Sequence, residues 1–214
     1  MHVAIFPLGP LETNCYLAVN GASALAIDPG GEPARVLNYL KDKGLTLTRI
    51  LNTHFHFDHI LGNAALSRAT GAPIAASPGD TELLATELGR GGFSGFPATP
   101  DFAFEPLAAG EITLIGLTCR VLETPGHSQG SLSFYFPDGG CVFVGDLIFY
   151  RSVGRTDFPG GDMGQLKRSA REMIFSLPEA TIIYPGHGPA TTVGDEKLHN
   201  PFLAPAGQGF LEDD

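Results

Sequence analysis

The chain has no tryptophan, only three cysteines, and 13 lysines plus arginines against 23 acids in 214 residues. The formal charge of −10 argues against a surface that tracks nucleic-acid phosphates, and no Lys/Arg cluster offsets it locally. Cys15, Cys119 and Cys141 are odd in number and lack CxxC spacing, and two of them sit in the apolar runs "LTCRVL" and "GCVFVG". They read as reduced, packed thiols rather than a disulfide framework. No apolar stretch approaches the length of a membrane span. "MHVAIFPLGP" lacks the basic start, apolar core and small-residue cleavage site of a signal peptide. A cytoplasmic protein is expected, with neither nucleic acid nor membrane as partner. A composition of 43% hydrophobic and 17% charged residues is that of a folded globular chain. The length suits a single domain over 1–214, with a short tail from about residue 200.

Glycine and proline are plentiful, at 28 and 17 residues, and signal many tight turns. "CYLAV" and "ALAID" read as strands joined by "NGAS". "EPARVLNYLKDKG" reads as a helix, with Pro33 in its first turn, Val36, Leu37 and Leu40 on one face, and Gly44 as its stop. "TRILNT" is a strand; "NAALSRATG" and "DTELLATELG" are helical, each ended by glycine; "RGGFSGFPATPDF" is loop. Ile115, Leu117, Cys119 and Val121 alternate with other residues as in a half-buried strand. "SLSFYF" and "CVFVGD" flank the hairpin signal "PDGG". "DMGQLKRSAREMIFSL" is a helix with Asp162 and Gln165 spaced as a capping box and Leu166, Ala170, Met173 and Ile174 on one face. "TIIYPGHG" is a last strand and turn. Strands precede helices in each half, an order that two packed sheets with helices outside would satisfy.

The histidines are few and unevenly placed. Of seven, three fall in "THFHFDHILGN", and only His2 and His199 lie away from a strand end. Ile50–Leu51 leads to His54, His56, Asp58 and His59; Val121–Leu122 leads to His127; Val142–Val144 leads to Asp146; Ile182–Ile183 leads to His187. Strand ends on one edge of a sheet converge, so these groups can meet. Borderline cations such as Zn²⁺ accept neutral imidazole and carboxylate at about 2.0–2.2 Å, whereas clustered histidines gain little by packing alone. Asp146 has two oxygens and can bridge two metals. Phe55 and Phe57, on the intervening positions, are expected to enter an apolar wall and fix the turn. Asp28, in "AIDPGG", reads either as a residue that orients a ligand histidine or as a turn former before Pro29.

"THFHFDH", "TPGHSQGS", "FVGD" and "YPGHGP" resemble, in order, the motifs of the metallo-β-lactamase superfamily. The resemblance implies a four-layer αββα sandwich, an α/β fold with a metal site at one edge of its sheets. It gives His54, His56 and His127 to one metal and Asp58, His59 and His187 to a second, with Asp146 between them. Two divalent ions are implied, zinc first, with iron or manganese as alternatives. "VGRTDFPGGD" and "PGHGPATTVGDEKLHNPF" are similar to the glyoxalase II branch, most of all its short single-domain bacterial members. Glyoxalase II proper hydrolyses the thioester S-lactoylglutathione and carries a C-terminal helical domain, whereas few residues follow Gly188 here.

The expected function is therefore binuclear hydrolysis of a small-molecule thioester by a metal-bridging hydroxide, with Asp58 supplying charge and a proton acceptor. A serine elbow is not expected. Arg155, Asp157 and Phe158 are candidate substrate contacts; for Arg155 an ion pair within its own loop competes. Persulfide dioxygenases resemble the same branch and share a "GRTDF"-like loop. In them a single iron sits at positions equivalent to His54 or His56, His127 and Asp146, which makes an iron dioxygenase the alternative. A nuclease would call for a basic groove that this chain lacks, and a lactamase fits the loop motifs less well.

Overall fold

Strands buried on both faces need a layer on each side, and Thr13–Asn20 and Ser23–Ile27 are of that kind. In the computed structural model, which describes residues 1–203, β1 (His2–Leu8), β2 (Thr13–Asn20) and β3 (Ser23–Ile27) form an antiparallel meander. Pro33 precedes α1 (Ala34–Lys43), which buries Val36 and Leu40 and stops at Gly44 with φ 61°. β4 (Thr46–Leu51) then lies parallel to β3. After α2 (Phe57–Ile60) and α3 (Asn63–Thr70), β5 (Ile74–Ala76) lies parallel to β4. The short α4 (Glu87–Arg90) and β6 (Glu105–Pro106) complete a sheet ordered β1-β2-β3-β4-β5-β6.

The second sheet begins with the meander β7 (Gly110–Leu114), β8 (Leu117–Glu123), β9 (Leu132–Phe136) and β10 (Cys141–Gly145). A small hairpin, β11 (Ile148–Phe149) and β12 (Ser152–Val153), leads to α5 (Met163–Ser169). β13 (Ile182–Pro185) returns parallel to β10, and β14 (Thr191–Thr192) and α6 (Val193–His199) follow. The order is β14-β13-β10-β9-β8-β7.

Three packing layers make the sandwich. Between the sheets lie Tyr16, Leu25 and Ile27 from one and Val121, Phe134 and Phe143 from the other. Val36, Leu40 and Leu66 cover the outside of the first sheet, and Leu166, Ala170, Ile174 and Val193 the outside of the second. The fold is thus the αββα arrangement of the metal-site resemblance. Cys15, Cys119 and Cys141 are buried free thiols, and burial pushes Cys119 and Cys141 up to about 12. Among the described residues no helix is long and apolar enough to cross a membrane.

Three local expectations need correction. "DTELLATELG" is not one helix: a 3₁₀ segment, Pro78–Ala85, breaks at Thr86, and α4 ends at Gly91 rather than Gly89. The Thr86 hydroxyl donates to the Leu83 carbonyl, competing with the helical ladder. Ile115 does not continue the β8 alternation; with Gly116 it turns at positive φ, 48° and 75°, between β7 and β8. The chain also does not finish its regular structure at "TIIYPGHG", because β14 and α6 follow.

Candidate metal centre

Parallel strands with their carboxyl ends at one rim leave a crevice there, and the chemistry-bearing residues sit on that rim. β4 delivers His54, His56, Asp58 and His59; β8, β10 and β13 deliver His127, Asp146 and His187. Phe55 is fully buried against Phe102 and Phe104, and Phe57 packs on Phe93 and Phe96. The aromatic positions thereby anchor the turn, as expected, and leave the polar positions facing the crevice.

Outer hydrogen bonds fix which imidazole nitrogen faces inward. His127 Nδ1 donates to the Arg155 carbonyl at 2.7 Å, so its Nε2 carries the lone pair. The Thr53 hydroxyl donates to Asp28 at 2.6 Å and accepts from His54 Nδ1 at 3.0 Å, which leaves His54 Nε2 bare. These two nitrogens converge on His56 Nδ1, at 2.8 Å from His127 and 3.1 Å from His54. Burial, then the neighbouring imidazoles, hold His54 well below the usual histidine range. Burial and His127 bring His56 to about 3. Three imidazole nitrogens aimed at one point repel unless a cation lies among them.

The second group is carboxylate-rich. His59 Nδ1 donates to Asp28 at 2.9 Å, and its Nε2 faces Asp146 Oδ1 at 3.3 Å and Asp58 Oδ2 at 3.5 Å. His187 Nε2 lies 3.2 Å from Asp58 Oδ2 and 3.7 Å from Asp146 Oδ2. Asp146 Oδ2 is also 3.6 Å from His127 Nε2, so this one carboxylate spans both groups. Burial works against charge on His59, but Asp146, Asp58 and Asp28 raise it well above its ordinary value. Burial likewise opposes the Asp58 anion, yet His59, His187 and Thr13 bring that carboxyl to about 2.

The donor sets His54–His56–His127 and Asp58–His59–His187 could each hold a cation. His59 Nε2 and Asp146 Oδ1 are buried without a hydrogen-bond partner although they face each other. Unsatisfied buried polar atoms are costly, and the chemistry of these two fits a pair of metal ligands. A third grouping, Asp28–His54–His59, fits less well. The Asp28 oxygens already accept from Thr53 N, the Thr53 hydroxyl and His59. Of the two readings of Asp28, the geometry matches the orienting one.

Arg155 makes the competing ion pair: its guanidinium meets Asp157 at 2.7 and 2.6 Å, both side chains being exposed. It also lies 3.8 Å over the Phe158 ring, which stands 5.9 Å from His56. Phe149 stands on the other side, 6.0 Å from His187. Beside them a cleft of about 170 Å³ runs past Ser128, Gln129 and Pro159. His2 and His199 lie outside this assembly, on β1 and α6.

Sequence reading missed several residues that hold the centre. Thr13 donates to Asp58 Oδ2 at 2.8 Å, and Asn14 holds the His187 turn through the Pro185 and Gly188 carbonyls. The polar pair Thr13–Asn14 at the head of the apolar run "CYLAV" was the available signal. Asp80 joins two loops and carried none. Gly126–Gly130, "GHSQG", also has the G-x-S-x-G form of a nucleophile elbow, contrary to expectation. It does not work as one: Ser128 is 3% exposed and its hydroxyl donates to Asp80 at 2.7 Å.

Residues 8–187 match the family model of the metallo-β-lactamase superfamily. The chain is 38% identical to a probable metallo-hydrolase, YqgX, of Bacillus subtilis, over 92% of this chain and 95% of that one. It is 36% identical to the hydroxyacylglutathione hydrolase GloC of Haemophilus influenzae, over 95% and 98%. Among solved structures, the BLEG-1 B3 metallo-β-lactamase superposes with a TM-score of 0.89 at 38% identity, covering 94% of this chain and 99% of that one. TTHA1623 in a di-iron-bound form superposes at 0.85 with 41% identity, covering 94% and 100%.

Proposed function

The chain belongs to the metallo-β-lactamase superfamily, and from that premise we propose that it is a binuclear metallohydrolase cleaving small-molecule thioesters such as S-lactoylglutathione. The observation that carries the binuclear reading is Asp146, a half-buried carboxylate placed between two three-donor groups with one buried oxygen unsatisfied. His54, His56 and His127 would hold one ion and Asp58, His59 and His187 the other, with Asp146 shared. Bound there, divalent cations supply Lewis acidity toward a carbonyl and lower the pKa of water.

The remaining work falls to the chain itself. Asp58 stays ionised, balances cationic charge and can accept a proton within the crevice. Asp28 holds the His59 ring and, through Thr53, the His54 ring in the orientation that turns their lone pairs inward. Phe158 and Phe149 wall the mouth and keep bulk water from a bound ester. Arg155, braced by Asp157, fixes Phe158 and presents the positive charge nearest to His56 on that loop. The likeness to GloC supports a thiol-linked acyl substrate.

An iron-dependent persulfide dioxygenase is the second reading, favoured by the iron in the related TTHA1623. Two imidazoles and Asp146 offer a nitrogen–nitrogen–oxygen set that suits iron. Metal analysis of the purified protein, with assays on S-lactoylglutathione, glutathione persulfide with oxygen, and a β-lactam, separates the cases. Two metal equivalents and thioester turnover are expected. Oxygen uptake with persulfide, or β-lactam cleavage without thioester turnover, would replace the thioesterase reading.

A further inference from the structure

Asp80 lies in the 3₁₀ segment after Ser77 and is 1% exposed. Its Oδ1 accepts the Gly130 N–H at 2.6 Å; its Oδ2 accepts the Ser128 hydroxyl at 2.7 Å and the Phe55 N–H at 3.2 Å. Phe55 stands between His54 and His56, and Ser128 follows His127. One carboxylate therefore clasps both loops that carry the three-imidazole group. Its hydrogen bonds reach neither the Asp146 turn nor the His187 turn. Bonds from neutral donors to a carboxylate are shorter and stronger than neutral pairs, and burial keeps water from replacing them. The other group has its own braces, Thr13 on Asp58 and Asp28 on His59.

We propose that Asp80 is a positioning residue for the three-imidazole site, setting the spacing of His127 against His54 and His56 and so the metal affinity of that site in particular. The inference rests on the binuclear reading above. It assigns to a residue in "SPGD" a clasp on the loops, beside the orienting of the His59 and His54 rings by Asp28. A neutral amide at position 80 would turn an N–H toward one of the three donors and open the clasp.

The test is cobalt(II) titration of chelator-stripped protein, followed by its visible spectrum, for wild type, Asp80→Asn and Ser128→Ala. His127→Ala and His187→Ala identify which spectral component belongs to which site. Asp80→Asn should weaken the His127-dependent site by about 10-fold or more, the lower end of the cost of losing a ligand's direct outer partner, since Asp80 acts through the loops that carry the ligands. The His187-dependent component should keep its affinity. Ser128→Ala, which leaves the carboxylate two donors, should weaken the same site by a smaller factor. Unchanged affinity at the His127-dependent site, or equal weakening at both, overturns the proposal. Should Asp80→Asn fail to fold, Ser128→Ala decides alone, and an unaltered His127-dependent component rejects the role. A wild type that takes up fewer than two equivalents would instead strike the binuclear reading itself.

Discussion

Side chains at the rim differ in how many neighbours depend on them, and that difference ranks their substitutions. Asp146 faces His59, His127 and His187 at once. Asp146→Asn should loosen both ions and cost activity by more than the about 10–100-fold of an outer-partner loss; two retained equivalents in the variant would refute a shared ligand. His187 borders only the second group, so His187→Ala should leave one equivalent. Glycines give a sharper contrast. A Cβ on Gly186 would collide with Asp146 Oδ1 and lie 2.7 Å from His59 Cε1. A Cβ on Gly188 would meet nothing within 4 Å, though its φ of +74° is a strained one for alanine. Gly186→Ala should therefore cost about 1–3 kcal/mol by overpacking and strip the metal. Gly188→Ala should cost about 1–2 kcal/mol of backbone strain alone and keep both ions. Thermal melts with metal analysis distinguish them; equal metal loss in the two variants would mean that the turn, rather than the contact with Asp146, governs binding.

Secondary-structure elements were legible in the sequence wherever burial wrote a period into it. α1 shows Val36 and Leu40 four apart and both buried, and "PDGG" sits between the paired strands β9 and β10. α6 shows no such period, since Leu198 is 65% exposed and the helix is held by polar contacts. Thr192 caps it by accepting from Asp195 N, and Glu196, fully buried, accepts from Arg151 N and Nη1, Thr191 and Asn200. The capping box predicted for α5 is half made: Asp162 accepts from Gln165 N, but its own N–H goes to the Gly126 carbonyl and ties the helix to the His127 turn. Metal-site candidates were legible because strand ends can be read from apolar runs. Asp80 was not, because its partners lie 25 to 50 residues away with no pattern around it, and Thr13 was marked only by standing with Asn14 at the head of an apolar run while its partner Asp58 lies 45 residues on. The Glu196 network yields a prediction for its own element. Glu196→Ala removes the acceptor for four donors while Arg151 keeps Asp195 at 2.8 Å, and the buried polar groups left without a partner should cost about 3 kcal/mol. At about 2–4 °C per kcal/mol for a domain of this size, melting should fall by about 10 °C; a shift under about 2 °C would show the network to be dispensable.

Across the whole molecule, the two sheets meet through one apolar layer and, at the rim, through polar loops. His54, His56, Asp58 and His59 come from the first sheet, and His127, Asp146 and His187 from the second. Asn14 N–H and side chain add direct bonds from the first sheet to the His187 turn. Cations held by donors from both sides would cross-link the sandwich, and the unfolded chain cannot reproduce that geometry. Binding to the folded state alone stabilises by about 2.7 kcal/mol per site when free metal is a hundredfold above its dissociation constant. At about 2–4 °C per kcal/mol, one occupied site is worth about 5–10 °C. Chelator-stripped protein should then melt lower by at least that amount and recover fully on adding metal. His187→Ala should show about half the recovery, because one of the two cross-links is gone. Asp146→Asn should show the least, since Asp146 is the carboxylate both groups share. Identical melting of the stripped and reloaded wild type would mean that no ion joins the sheets, and the catalytic reading would lose its foundation along with the stabilisation.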